Sequence, residues 1–264
     1  MAILVFIRKI YRLTISLLWL PVVMIPALWK HLFSGTYWKK VYRLSFCVNR
    51  WARGLARCMG LKIRVHGDPK EANGVLIVSN HCGYLDVMTQ GAVFPIRFAP
   101  KQEIRWWPFL GWYLGLSLPV WVDRQSPQQS VKVMEACRET LKNGINMLVY
   151  PEGTSTSGEE GLLPFKSTAF EAVCGQDIAI LPVLLIYRKT PDGFPLPWFG
   201  KMKLFPHYWH IIGYRRQEVE VFILPKVIPG ERNRKELALY MHELMEKKYK
   251  ELKENINKEQ ANEH

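Results

Sequence analysis

VLIVSNHCGYLD, residues 75–86, changes character halfway along. Val75–Val78 is an apolar, β-branched run of strand length, and Ser79-Asn80-His81 ends it in polar side chains. MLVYPEGT, residues 147–154, repeats the design: Met147–Tyr150 reads as a buried strand that breaks into Pro151-Glu152-Gly153-Thr154. Further strands are expected at Ile96–Ala99, Leu118–Val122, Ile178–Tyr187 and Val219–Leu224. Ser130–Lys142 reads as a helix with Val131, Met134, Cys137 and Leu141 on one side and Asn143-Gly144 as its stop. Strands alternating with helices predict an α/β domain with a mixed, largely parallel sheet flanked by helices. In such sheets ligands gather at the carboxyl ends of the strands, where both polar loops begin.

The first loop carries a base and a partner for it. Histidine titrates nearest neutrality, which suits His81 to take a proton from an alcohol. Asp86, five positions on across a strand-to-helix turn, can fold back to fix the imidazole tautomer and stabilise its charged form. No serine occupies a nucleophile elbow, so the attacking group would be the substrate's own hydroxyl. Cys82 is a poor alternative, because adjacent side chains on extended backbone point apart. In the second loop, backbone N–H groups and the Glu152 carboxylate can hold a polar substrate group. Between the loops lie Lys101 and Arg124, cations suited to phosphate. Trp106, Trp107, Phe109, Trp112 and Tyr113 suit either an acyl channel, a membrane contact or ordinary core packing.

Outward from this centre the charge is uneven. Residues 1–67 hold twelve Lys/Arg and no Asp or Glu, which is nearly the whole formal charge of +13. Residues 231–264 hold eight basic and eight acidic side chains, leaving 68–230 at about +1. A nucleic-acid binder would more often spread its charge over the reading surface, and none is expected here as a partner. Leu13–Trp29 is a charge-free stretch of seventeen residues interrupted by Pro21 and Pro26, which would kink or split it. A cleaved signal peptide, a single crossing and a helix or hairpin inserted into one leaflet all compete, and the last is favoured. Trp38–Gly60 follows as a basic, aromatic-rich helix with Arg43, Arg50 and Arg57 on one face, suited to an anionic lipid surface.

Residues 1–60 are therefore expected to form a membrane-associating helical segment, 61–230 the α/β domain, and 231–264 a charged helix and tail. Glu231 to about Lys258 shows the apolar stripe Leu237, Tyr240, Met241, Leu244, Tyr249. The proline- and aromatic-rich segment Thr190–His210 is expected as a long surface loop. Five cysteines without CxxC spacing point to a reducing compartment. His207 and His210 share an i,i+3 spacing, but no third ligand cluster accompanies them, so no metal or cofactor is expected.

Taken in order, NHCGYLD (80–86), KQEIRWWPFLGW through WVDR (101–124), YPEGT (150–154) and LPV (181–183) resemble the glycerolipid acyltransferases typified by 1-acylglycerol-3-phosphate acyltransferase. The resemblance implies that His81 is the general base and Asp86 its partner. It also implies an acceptor-binding surface that includes Lys101, Arg124, Glu152, Gly153 and Thr154. The implied donor is acyl-CoA or acyl-acyl carrier protein, and the acceptor is a lysolipid such as 1-acylglycerol-3-phosphate or a lyso-ornithine-type lipid. Members carry an amino-terminal membrane-binding helical pair, in line with the charge pattern, and a cytoplasmic membrane face is expected.

This chain departs from the pattern at one place. The family's EGTRS becomes Glu152-Gly153-Thr154-Ser155-Thr156, and the arginine facing the acceptor phosphate is gone. Losing a charge-assisted contact costs about 1.5–3 kcal/mol, which leads to the expectation of a diester, zwitterionic or phosphate-free head group. Two rival functions share the same residues: a thioesterase or lipid hydrolase in which His81 activates water, and a non-catalytic lipid-binding protein.

Overall fold

A computed structural model describes residues 2–107, 110–122 and 127–262. Among these, six strands form one sheet: β1 (Leu61–His66), β2 (Leu76–Ser79), β3 (Ile96–Arg97), β4 (Asn146–Val149), β5 (Ile180–Tyr187) and β6 (Gln217–Ile223). Their order is β1-β6-β5-β2-β4-β3, and of these neighbouring pairs only β5–β6 is antiparallel. β2, β3, β4 and β5 run the same way, so His81, Lys101 and Glu152 all emerge at one end of the sheet.

Strand residues alternate between two cores, as a period of two requires. Ile77, Leu148, Leu181, Val183, Leu185, Val219 and Val221 face one side. There they meet Val48, Trp51, Ala52 and Ala56 of α2 (Tyr37–Met59), and Ala92 and Val93 of α3 (Tyr84–Val93). Leu76, Val78, Met147, Ile180, Leu184 and Ile186 face the other, against α5 (Pro127–Lys142) and the carboxy-terminal helix. α7 (Arg234–Asn262) contributes Leu237, Met241, Met245 and Tyr249, close to the stripe read from its sequence. Burying one such Leu or Met side chain contributes roughly 1.5–3 kcal/mol, so both helical layers are bound firmly to the sheet.

α1 (Ala2–Phe33) is one continuous helix of 32 residues, with Pro21 and Pro26 inside it. Of the expected kink or split, the split does not occur: each proline frees one carbonyl, at Leu17 and Val22, and packing along the body keeps the helix whole. Arg12, Ser16, Val23 and Ala27 face the body. Arg12 donates to the carbonyls of Ile212, Tyr214 and Arg215, while Trp19 Nε1–H donates to Trp51 O at 3.0 Å. Gly54 makes that second contact possible, since a Cβ there would collide with the Trp19 ring. Near the far end His31 Nδ1 lies 3.1 Å from Leu116 O, at the close of α4 (Leu110–Leu116). The outer face is apolar and exposed: Ile3, Phe6, Ile10, Leu17, Leu18, Ile25 and Trp29 among others. By length and composition α1 could cross a membrane.

The structure corrects two further expectations and adds one strand that was not expected. Leu118–Val122 is no regular strand: Leu118 has φ 54°, off the extended region, and the segment meets the chain after β3 through a Val120 N–H to Phe98 O bond and an isolated bridge between Val122 and Lys101. β1 forms where LKIRVH gives no continuous apolar run, because it is an edge strand whose Arg64 and His66 pair with Glu220 across β6. Within the segment expected as loop, α6 (Leu204–Ile211) is a helix. Its His207 lies 2.9 Å (Nδ1) from the Tyr84 hydroxyl and 3.1 Å (Nε2) from Pro195 O.

Candidate active site

The site is built where β2 ends and α3 begins. Asp86 is the third residue of α3, and its carboxylate accepts from the Gly83 backbone N–H at 2.8 Å, which caps the helix. The same oxygen accepts from Cys82 N–H at 2.5 Å and from His81 Nδ1–H at 2.7 Å. The other oxygen accepts from the Tyr187 hydroxyl at 2.7 Å. Asp86 is wholly buried, so these donors replace water for it. Because Nδ1 carries the proton toward Asp86, Nε2 is left as the basic nitrogen, and the His81 side chain keeps 23% of its surface open.

Asn80, just before the histidine, locks β2 to β5. Its Nδ2 donates to Leu185 O at 2.9 Å, and its Oδ1 accepts from Leu185 N–H at 2.8 Å. The Tyr150 ring stacks on the imidazole with centroids 4.2 Å apart and planes 15° apart. Burial holds the Tyr150 and Tyr187 hydroxyls well above the usual phenol range, so both remain protonated. Burial, reinforced by Asp86 and Glu152, likewise pushes up the Cys82 thiol and keeps it unfit as a nucleophile.

The second loop wraps around the first. Glu152 accepts from the His81 backbone N–H at 2.8 Å and from Leu163 N–H at 3.0 Å, and Thr156 N–H donates to His81 O at 2.9 Å. Desolvation raises the Glu152 pKa, and the two backbone donors only partly offset it. Behind this loop, Tyr249 of α7 donates to Gly158 O at 2.9 Å, and Glu246 accepts from Leu162 N–H at 2.7 Å.

The residues singled out from the sequence thus divide. His81, Asp86, Glu152 and Gly153 come together, and Thr154 stands exposed on the same loop. Lys101 is exposed beyond β3, on the same end of the sheet. Arg124 lies outside the described residues. Sequence reading assigned no site role to Tyr150, although it opens YPEGT, or to Tyr187, which ends β5 with no local pattern to mark it. His207 and His210 are engaged elsewhere: His210 Nε2 lies 3.1 Å from Asp192 and 2.9 Å from the Tyr214 hydroxyl.

Comparison with known proteins bears on the family and the fold. The acyltransferase family model matches residues 62–186, from β1 to the end of β5. A 1-acyl-sn-glycerol-3-phosphate acyltransferase of Neisseria gonorrhoeae is 33% identical over 154 residues, which is 58% of this chain and 60% of that protein's length. A lyso-ornithine lipid O-acyltransferase of Pseudomonas aeruginosa is 30% identical over 192 residues, covering 71% of this chain and 72% of the relative. The crystal structure of the 1-acyl-sn-glycerophosphate acyltransferase PlsC from Thermotoga maritima shares the fold. Its TM-score is 0.69 at 19% identity, over 94% of this chain and 95% of that one. This chain belongs to the acyltransferase family in which those lysolipid enzymes stand.

Proposed function

We propose that this protein moves a fatty acyl chain from acyl-CoA or acyl-acyl carrier protein to the free hydroxyl of a lysolipid, either 1-acylglycerol-3-phosphate or a related acceptor. The observation that carries the reading is the imidazole of His81, whose Nδ1 lies 2.7 Å from buried Asp86 while 23% of the side chain stays exposed, which leaves Nε2 to act as the base. Nε2 takes the proton of the lysolipid hydroxyl as its oxygen attacks the thioester carbonyl. The tetrahedral intermediate then collapses, the ester forms, and the departing thiolate takes the proton back from the imidazolium. Asp86 stabilises the charged ring between these steps. Glu152 and Gly153 shape the loop beside the base, and Lys101, Arg124 and Thr154 complete the acceptor-binding surface.

Membrane lipids are the third partner. Residues 1–60 form the docking segment, with the apolar outer face of α1 sunk into one leaflet and exposed Arg43, Arg50 and Arg57 of α2 near anionic head groups. The polar contacts at Arg12 and His31 tie α1 to the body toward both ends, which favours a helix lying along the surface over a crossing one. Trp106, Trp107 and Trp112 are exposed and suit the same interface. The donor is met from the cytoplasmic side.

Purified protein in mixed micelles, offered labelled acyl-CoA and a panel of lysolipids, tests the reading. Diacyl product is expected, reduced about 10²–10⁴-fold in His81→Ala. Release of free fatty acid whether or not a lysolipid is present would instead establish a hydrolase.

A further inference from the structure

Ser155 leaves the second loop without the cation that the family places there, yet the fold brings one to it from eleven residues further along. Lys166 follows the turn that returns past Glu152. Its backbone N–H donates to Pro151 O at 2.9 Å, which pins it to the loop. Its side chain lies across Gly153: a Cβ at that position would meet the Lys166 ammonium and stand 2.9 Å from Cε. Gly153 has φ 74°, a conformation that favours glycine, and the Lys166 ammonium rests over the face that a Cβ would occupy.

The charge of Lys166 is not spent. Glu152, the acid of the loop that Lys166 crosses, has one oxygen on His81 N–H and the other on Leu163 N–H, and of the acids nearer along the chain Glu171 pairs with Arg234 and Glu159 with Lys253. No ion pair or hydrogen bond engages the ammonium among the described residues, and the side chain is exposed. Lys253, the other lysine at this loop, is occupied by Gly158 O and by Glu159 at 3.0 Å. The free ammonium therefore sits on the residue that follows Glu152, and Glu152 in turn holds the backbone of the base.

We propose that Lys166 receives the anionic head group of the lysolipid acceptor, standing in for the missing arginine. This rests on the transferase reading and narrows it: the acceptor carries a negative group, a phosphate monoester or a carboxylate, that reaches the site while its hydroxyl meets His81. A compact ammonium recognises charge without the bidentate geometry of arginine, so either anion fits it.

Steady-state transfer by Lys166→Ala and Lys166→Arg, with lysophosphatidic acid, lyso-ornithine lipid and uncharged monoacylglycerol as acceptors, tests the proposal. Lys166→Ala should raise KM about 10- to 100-fold for an anionic acceptor, with kcat within about threefold and monoacylglycerol unaffected. Lys166→Arg should restore most of the loss. The acceptor whose KM moves most identifies the anion as phosphate or carboxylate. Equal changes for all three acceptors, or none, would overturn the assignment. Calorimetric binding of short-chain lysophosphatidic acid and lyso-ornithine lipid to His81→Ala, with and without Lys166→Ala, separates the two levels of inference. Weaker binding of either lipid with the second substitution supports the Lys166 site even if no transfer is found. Intact transfer by the wild type with unchanged binding of both refutes the Lys166 site alone.

Discussion

The buried carboxylates at the ends of β2 and β4 and the one on the β1–β6 edge are kept in opposite ways. Glu220, on β6, is gripped by two guanidinium groups and an imidazole: Arg188 Nε at 2.6 Å, Arg64 Nη1 at 2.9 Å and His66 Nε2 at 2.8 Å. Burial alone would raise its pKa, but these partners outweigh burial and hold it below the usual carboxylate range. Glu152 has only backbone N–H groups, and burial wins, leaving it above that range. Asp86 is held by two backbone N–H groups, a phenol and the imidazole it serves. The edge cluster neutralises its acid and joins two strands. The site instead surrounds its acids with backbone N–H groups, a phenol and the ring it positions, and no lysine or arginine among the described residues pairs with either acid.

The largest expected effect follows from breaking the second arrangement. Asp86→Asn removes the acceptor that holds the Nδ1 proton and presents an amide N–H to a cluster of donors, so Nε2 loses its basic tautomer. Transfer should fall about 10³–10⁴-fold in kcat. A folded Asp86→Asn protein with near-normal kcat would show that Asp86 is a helix cap and no partner of the base.

Glu152→Gln should act less severely. The amide can accept from one backbone N–H but turns its own N–H groups toward the other, at a cost of about 1–3 kcal/mol. If that cost falls on the loop geometry beside His81, kcat/KM drops roughly 5- to 150-fold. An equal fall in thermal stability with unchanged kcat/KM would place Glu152 in the scaffold only.

Glu220→Gln should leave catalysis within about twofold and change the acid limb of stability. A carboxylate whose folded pKa is depressed contributes stability above its unfolded value, near 4.3, and that stability is lost as pH falls through the lower folded value. The variant should be less stable than the parent at pH 7 and show a shallower loss below about pH 4 in denaturant titrations. Parallel curves for the two proteins would mean the cations do not favour the ionised form. The contrast between edge and site would then fail.

How much of this could be read from residues alone varied by element. VLIVS and MLVY are continuous apolar runs, and burial on both faces is a local property of such a run. His81 and Asp86 lie on one strand–turn–helix unit, so their meeting was also local. β1 and α6 were not legible, because what stabilises them is remote: Glu220 for β1, and Tyr84 and Pro195 for α6. The same holds for Tyr187, which reaches Asp86 only because β5 lies beside β2.

By itself, then, the sequence determined the α/β class, the two strand-end loops, the His81–Asp86 pairing and the apolar, basic amino-terminal end, all of which depend on periodicity and short-range spacing. Only the tertiary structure decided that α1 stays one helix despite two prolines, since packing on α2 and the 212–215 turn outweighs the lost hydrogen bonds. It alone brought Tyr187 to the aspartate and Lys166 onto Gly153. Charges and hydroxyls far apart along a chain find one another only after strand order and loop closure have been set, and neither is written in any single window of residues.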